Sequence, residues 1–463
     1  MKRPPKGFKN QFRNVVKKLG SLFSKSKVES ISLETKFQQR SSVRFSGLDF
    51  LLSMLTVSLD SEHATLERIA STLSRTNKIT SVSAQAVMKR LNRSETTHFF
   101  KKLFDQALQE RISNIAEDIP IQLLAPFGKV LIQDSTVFEL NEQLQEFFKG
   151  SGGRASKSCG KLDVIYDIKS KNYEKIYLTD QSEADSSLAA NINNFLEKGT
   201  LVIRDLGYLR ADTLKEVFKR ESYFLSRFKL NLLVYQGKND SEQLDLAKYL
   251  SEQFENQEIV DMNVYITEQR IPVRMIAYKC PQEVVDKRRR EARKTAKKQG
   301  RTLKKKTLLL MEFTIFITNV PREIWQSEVV GTIYRVRWQI ELIFKSWKGG
   351  MKINYLKGVN RYRIESLIYV RLILLIVMNK IYQVLESLAY KMYTREVSMH
   401  KIHGWLREGE RIINVFLGKL PSYEYRLLDK HILRSMCKQK RKRLTTQEMV
   451  QQGAFYSCNV ELG

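Results

Sequence analysis

Three carboxylates stand where the chain pattern would bring them together. Asp134 closes the apolar stretch KVLIQDST, Asp205 closes TLVIRD, and Glu341 lies within GTIYRVRWQIELIFKSWKGG, residues 331–350. At 100° per residue, Tyr334, Arg337, Glu341 and Lys348 share an arc of roughly 60° on one helix face. Val336, Ile340, Ile343 and Trp347 gather opposite, as on a helix docked against a core. Ser327 reads as the N-cap and Gly349-Gly350 as a stop. A carboxylate between cations suits a metal-binding Glu flanked by groups that grip phosphate. The plain alternative is a solvent face laced with charge pairs, and a strand-end Asp is often a mere turn former. The combination favours chemistry: three acids around one point can hold two divalent ions roughly 3.5–4 Å apart, the geometry of phosphoryl transfer.

The acids reach that point only if the flanking elements are arranged correctly. KVLIQDST, LDVIYDIK and YEKIYLTD read as three strands, the latter two a hairpin. The helix DSSLAANINNFLEK, the strand TLVIRD, the helix ADTLKEVFKR and the strand SYFLSRF follow. Strand, strand, strand, helix, strand, helix, strand is the layout of a ribonuclease-H-like α/β core, in which the first and fourth strands are neighbours. The core is expected over 126–230 and 321–360. Residues 231–320 read as a β-rich insertion subdomain carrying a basic arm, Lys287 to Lys306. That run needs a counter-charge, and phosphate is the expected one.

Residues 1–45, basic and Ser-rich, read as a flexible arm. Residues 46–125 read as a helical, helix-turn-helix-like DNA-binding domain. In its last short helix, SAQAVMKRLNR, Ala84, Val87, Met88 and Leu91 mark the inward face and Gln85, Lys89 and Arg90 the outward one. Residues 361–463 read as a helical C-terminal region, a candidate for dimerisation, with a basic end from Lys438 to Arg443.

A net charge of +29 on 463 residues implies a polyanionic partner. The longest apolar run, Leu367 to Met378, is broken by Arg371 and too short to span a bilayer. No apolar signal core follows the basic start, so a cytoplasmic, nucleoid-associated protein with no membrane role is expected. Four cysteines without CxxC spacing and five histidines disfavour zinc sites and disulfide scaffolds. Carboxylates would hold any metal, which points to Mg²⁺ or Mn²⁺. No P-loop is present, so ATP-dependent chemistry is disfavoured.

Tyr334-x2-Arg337-x3-Glu341-x6-Lys348, with Asp134 in LIQDST and Asp205 in VIRDLGY, resembles the YREK signature of bacterial DDE transposases of the insertion sequence 4 family. The resemblance implies that Asp134, Asp205 and Glu341 are the catalytic, metal-binding triad for two Mg²⁺ or Mn²⁺ ions per active site. It implies that Tyr334, Arg337, Lys348, Lys345 and Trp338 contact DNA. It further implies double-stranded DNA, both transposon ends and target, as partner, a homodimer in the DNA complex, and cut-and-paste transposition by strand cleavage and 3′-hydroxyl transfer at terminal inverted repeats. A base-stacking aromatic of the family would fall at Phe313 or Thr314, where no Trp stands. Two alternatives remain open: a metal-dependent nuclease of the same fold without strand transfer, and a catalytically inactive DNA-binding regulator.

Overall fold

The computed structural model describes residues 8–39, 45–59, 65–77, 81–110, 122–151, 156–350, 352–428 and 433–438. Of the basic end only Lys438 is among them, and the first seven residues lie outside them.

Nine strands form one mixed sheet in the order β3-β2-β1-β4-β5-β9-β8-β7-β6. β1 (Val130–Glu139), β2 (Cys159–Asp167) and β3 (Asn172–Asp180) are an antiparallel meander. β4 (Leu201–Arg204) and β5 (Tyr223–Arg227) continue it in parallel from β1. β6 (Val234–Tyr235), β7 (Ile259–Ile266), β8 (Ile271–Lys279) and β9 (Phe313–Thr318) are antiparallel. β9 also pairs antiparallel with β5.

The segment 231–320 is therefore no separate subdomain: its strands extend the central sheet. The exposed N–H and C=O groups of the β5 edge need partners, and β9, buried along its whole length, supplies them. The run LLLMEFTIFITNV divides accordingly into a helical turn and the strand from Phe313.

Side-chain alternation sends neighbouring residues to opposite faces, and each face has its own core. Val130, Ile132, Leu201, Ile203 and Phe316 enter one apolar cluster. Leu131, Val202, Ile315 and Ile317 enter the other. By the same parity, Asp134 and Asp205 belong to the first face, Gln133 and Arg204 to the second.

The helices before the sheet are α1 (Phe8–Leu22), α2 (Lys25–Glu34), α3 (Gly47–Leu59), α4 (Leu66–Asn77), α5 (Ala84–Leu91) and α6 (Ser94–Gln109). Those among and after the strands are α7 (Asp185–Leu188), α8 (Ala211–Lys219), α9 (Leu246–Gln253), α10 (Gln282–Lys298), α11 (Lys305–Leu310), α12 (Ser327–Tyr334) and α13 (Trp338–Gly350). The chain closes with α14 (Arg361–Tyr393), α15 (Met399–Arg407), α16 (Arg411–Phe416), α17 (Ser422–Leu427) and α18 (Leu433–Met436).

The expected flexible arm is a correction. Phe12, Val15, Val16 and Leu19 are fully buried on α1, at the spacing of one helix face. Phe23 packs on Phe416 at 4.6 Å and Phe12 on Tyr425 at 5.8 Å, between ring centroids. Where the two segments cross, a Cβ on Gly20 would lie 2.4 Å from the Cα and N of Gly418. Only glycine admits that approach.

The amino- and carboxyl-terminal helices thus form one bundle rather than two regions. At its centre is α14, a single helix of 33 residues buried nearly all round, as its all-round apolar pattern requires. Asn360 caps it by accepting the Arg363 N–H at 3.1 Å, and α6 packs along it. No helix among the described residues is long and apolar enough to cross a membrane.

In α5, Val87 and Leu91 are buried as expected, but Met88 is exposed. Arg90 turns inward over the rings of Phe37 and Phe45 and donates to the Phe37 carbonyl. Cation–π contact and an orphan carbonyl outweigh the pull of solvent on this guanidinium. Gln85 and Lys89 remain exposed.

Candidate active site

β1 and β4 run parallel with Gln133 opposite Arg204. One residue further, Asp134 lies midway along β1, which does not end there as expected but continues to Glu139 against β2, and Asp205 lies just past the end of β4. Neighbouring strands lie about 4.8 Å apart, so the two acids leave the last paired position side by side. The segment carrying Glu341 packs on the same face, with Val336, Ile340, Ile343 and Trp347 in the core beneath it.

That segment is not one helix. α12 ends at Tyr334, residues Arg335–Arg337 form a 3-10 turn, and α13 starts at Trp338. Ser327 is the first helical residue, and the N-cap is Gln326 with no side-chain cap bond. In a 3-10 turn residues three apart eclipse, and the Arg337 guanidinium lies 5.9 Å over the Tyr334 ring. Tyr334 is buried against Phe316, ring centroids 5.1 Å apart, and donates its hydroxyl to Asp205 Oδ1 at 3.3 Å.

Arg337 joins the other two acids. Its Nη1 donates to Asp134 Oδ2 at 3.1 Å and its Nη2 to Glu341 Oε1 at 2.7 Å. Burial alone would lower the Arg337 pKa, but Tyr334, Asp134, Asp205 and Glu341 together raise it. Asp134 is pushed up to about 6, first by burial and further by Asp205 and Glu341, against the pull of Arg337 and the Ser135 N–H. Asp134 therefore senses the other two carboxylates beside a single guanidinium.

Other expected site residues lie apart from this group. Trp338 is exposed, and Lys345 Nζ sits 5.1 Å over its ring. Lys345 also lines a cavity of about 610 Å³ with Leu342, Ile343 and Ser346. Lys348 is exposed near the end of α13. Phe313 is buried against Phe254 at 4.9 Å. Thr314 is buried and accepts from Arg288 Nη2 at 2.8 Å. Neither is presented for stacking on a base. The basic run is also divided. Arg288 and Arg289 serve internal acceptors, including the Phe313 and Leu308 carbonyls, whereas Arg290, Arg293, Lys294, Lys297 and Lys298 are exposed.

Sequence reading missed a second buried cluster on the reverse face. Asp163 on β2, fully buried, accepts from Gln133 Nε2 at 3.0 Å, Asn191 Nδ2 at 3.1 Å and the Tyr208 hydroxyl at 2.9 Å. Burial pushes its carboxyl pKa up, against those three donors. Asp185 pairs with Lys161 at 2.6 Å and accepts from Ser135 Oγ at 2.9 Å. The available signal was KLD inside an otherwise apolar strand: charges at alternate positions of a fully buried strand need partners.

All-oxygen carboxylate donors suit Mg²⁺ or Mn²⁺. Among the described residues, however, no group of three His, Cys, Asp or Glu side chains is gathered tightly enough to hold an ion. The cationic fork of Arg337 lies between two of the acids, with its Nε buried and without a partner. The donor chemistry fits a divalent ion, and seating one requires Arg337 to yield its bonds to Asp134 and Glu341.

A family model described as a transposase DDE domain matches residues 125–377, more than half of the chain, with all three acids inside the match. The chain belongs to the DDE transposases. This transposase is 28% identical over 396 residues to the transposase for insertion sequence element IS231F of Bacillus thuringiensis subsp. israelensis, covering 82% of each chain. It is 28% identical over 406 residues to that for element IS1151 of Clostridium perfringens, covering 84% of each. The transposase is accordingly an enzyme acting on DNA, and DDE domains of this kind use divalent metal ions.

Proposed function

We propose that this transposase cuts DNA at the terminal inverted repeats of an insertion sequence and joins the freed 3′-hydroxyl to target DNA. Asp134, Asp205 and Glu341 would hold the metal. Within the family, the YREK frame over Tyr334, Arg337, Glu341 and Lys348 favours the insertion sequence 4 group. The strand order β3-β2-β1-β4-β5, with β1, β4 and β5 parallel, supports a ribonuclease-H-like core. One observation carries the catalytic assignment: a guanidinium shared by Asp134 and Glu341, with Asp205 on the adjoining strand end.

Divalent ions held by Asp134, Asp205 and Glu341 would supply activation of the attacking water or 3′-hydroxyl and charge stabilisation of the departing oxygen. The chain's own residues orient the reactants. Tyr334 holds the Asp205 carboxylate through its hydroxyl. Arg337 presents a planar fork equally matched to a carboxylate pair and to a phosphate. Its exchange from acids to DNA would couple end binding to assembly of the site. Lys345, Lys348 and Trp338, on or near the exposed side of α13, would contact the DNA, and the exposed cations of α10 its phosphates. Gln85 and Lys89 of α5 are candidates for groove contacts within residues 46–125. Pairing of two ends calls for a homodimer in the DNA complex, acting in the bacterial cytoplasm on nucleoid DNA.

The test supplies the purified protein with duplexes carrying the element's ends and Mg²⁺. Nicking at the repeat boundary, and joining of pre-cut ends to a plasmid, are expected. Cutting without joining would indicate a nuclease instead, and end binding without cutting a regulator.

A further inference from the structure

We propose that Asp163 is a positioning residue, one buried carboxylate that fixes the middle of β1 at Asp134 and the end of β4 at Asp205 relative to each other. The inference rests on the reading of those two aspartates as catalytic.

The β1–β4 ladder stops at Gln133 and Arg204, one residue short of both acids. Backbone pairing therefore does not hold Asp205 beside Asp134, and the 3-10 turn Leu206–Tyr208 leads the chain away at once. The tie comes from the reverse face of the sheet. Gln133, immediately before Asp134, and Tyr208, three residues after Asp205, both donate to Asp163, at 3.0 and 2.9 Å. A single acceptor thus spans the middle of β1 and the turn after β4 from the reverse face.

The surrounding contacts stiffen the same unit. Gln133 Nε2 also reaches the Leu188 carbonyl at 2.9 Å, and Arg204 Nη1 the Ala189 carbonyl at 2.9 Å. Both residues preceding the catalytic acids are therefore anchored to the segment 185–191, which also supplies Asn191 to Asp163. Ser135, following Asp134, is tied to Asp185, and Gly207 fits so closely that a Cβ there would lie 3.2 Å from Asp185 Oδ2. Two acids, Asp163 and Asp185, are matched by two buried cations, Lys161 and Arg204. Three donors to one carboxylate meet the requirement that a buried charge be hydrogen-bonded. Catalytic groups must be held to about 0.5 Å, and such a network supplies that tolerance where the ladder ends.

Tyr208→Phe, Asp163→Asn and, as a control, Asp205→Ala would be compared with the wild type. Four quantities are measured: thermal midpoint, DNA affinity, single-turnover cleavage rate on saturating DNA, and the Mg²⁺ concentration giving half-maximal rate. We expect Tyr208→Phe and Asp163→Asn to slow cleavage by about tenfold or more and to raise the Mg²⁺ requirement severalfold, with DNA affinity within about twofold of wild type. A merely structural role would move the thermal midpoint and leave the Mg²⁺ requirement alone. The double variant should be slower than Asp163→Asn by less than the separate effects would add to, because the bond that Tyr208→Phe removes is one of the three that Asp163 receives. Wild-type rate and Mg²⁺ dependence in folded Tyr208→Phe, with Asp205→Ala inactive, would overturn the role of Asp163 alone. Should Asp163→Asn fail to fold, Tyr208→Phe, which removes a single hydroxyl, decides. Cleavage by Asp205→Ala would overturn the catalytic reading and this inference with it.

Discussion

Arg337 reaches Asp134 across 203 positions of sequence, Nη1 to Oδ2 at 3.1 Å, while its other terminal nitrogen holds Glu341 at 2.7 Å. Two acids that would repel each other are reconciled by one planar cation, and the third, Asp205, is held by Tyr334. The site is thus a set of carboxylates with its counter-charge supplied from within the chain.

Replacing Asp134, Asp205 or Glu341 by Ala should lower Mg²⁺-dependent cleavage by about three orders of magnitude or more. Binding to end DNA, carried by surfaces elsewhere, should change little. Gel-shift and cleavage assays on the same labelled duplex check both halves of this statement.

Arg337→Lys should lose most of the activity despite keeping the charge, since an ammonium cannot present the two-pronged fork that bridges Asp134 and Glu341. Arg337→Ala removes the cation that competes for those oxygens. In the absence of DNA, calorimetric titration with Mn²⁺ should therefore show tighter binding to Arg337→Ala than to wild type. Weaker binding would mean that the arginine helps to assemble the metal site instead of occupying it.

Asp134 has its pKa raised to about 6, so in the metal-free protein it gains a proton as pH falls through that value. A raised carboxyl pKa means the ionised form is the disfavoured one, and a cation bound to the same oxygens favours it. Cleavage should accordingly fall below about pH 6 at low Mg²⁺, with the midpoint moving to lower pH as Mg²⁺ is raised. A rate profile indifferent to Mg²⁺ concentration would show that this carboxylate is not the group that titrates.

The exposed cations of α10 should act without regard to base sequence. Changing Arg293, Lys294, Lys297 and Lys298 to Gln should weaken binding to specific and random duplexes alike. It should also make the log–log salt dependence shallower, by about 0.9 for each phosphate that is no longer neutralised. Arg288 and Arg289, held by internal carbonyls, should affect stability instead.

Gly20→Ala places a Cβ against the backbone of Gly418, which cannot move aside as a side-chain tip could. A destabilisation of about 1–3 kcal/mol is expected, read as a lower thermal midpoint with cleavage at low temperature preserved. An unchanged midpoint would mean that α1 does not dock there.

Much of the site was legible because strand alternation and helix spacing are local signals. The apolar runs ending in Asp134 and Asp205, and the four-residue step from Arg337 to Glu341, need no long-range knowledge. What escaped depends on partners distant in sequence. Phe12, Val15, Val16 and Leu19 carry a helical stripe, but the surrounding lysines and arginines mask it, and the apolar face finds its cover near Phe416 and Tyr425. The strands after β5 looked independent because nothing local says which edge they join. Asp163 looked like one charge in a strand because its donors come from residues 133, 191 and 208.

The most direct test is a crystal of the protein with end DNA soaked in Mn²⁺ and measured at the manganese absorption edge. Anomalous peaks within about 2.2 Å of carboxylate oxygens of Asp134, Asp205 and Glu341 are expected, with Arg337 withdrawn from the acids. Manganese bound elsewhere, or its absence from this group while DNA is engaged, would contradict the account.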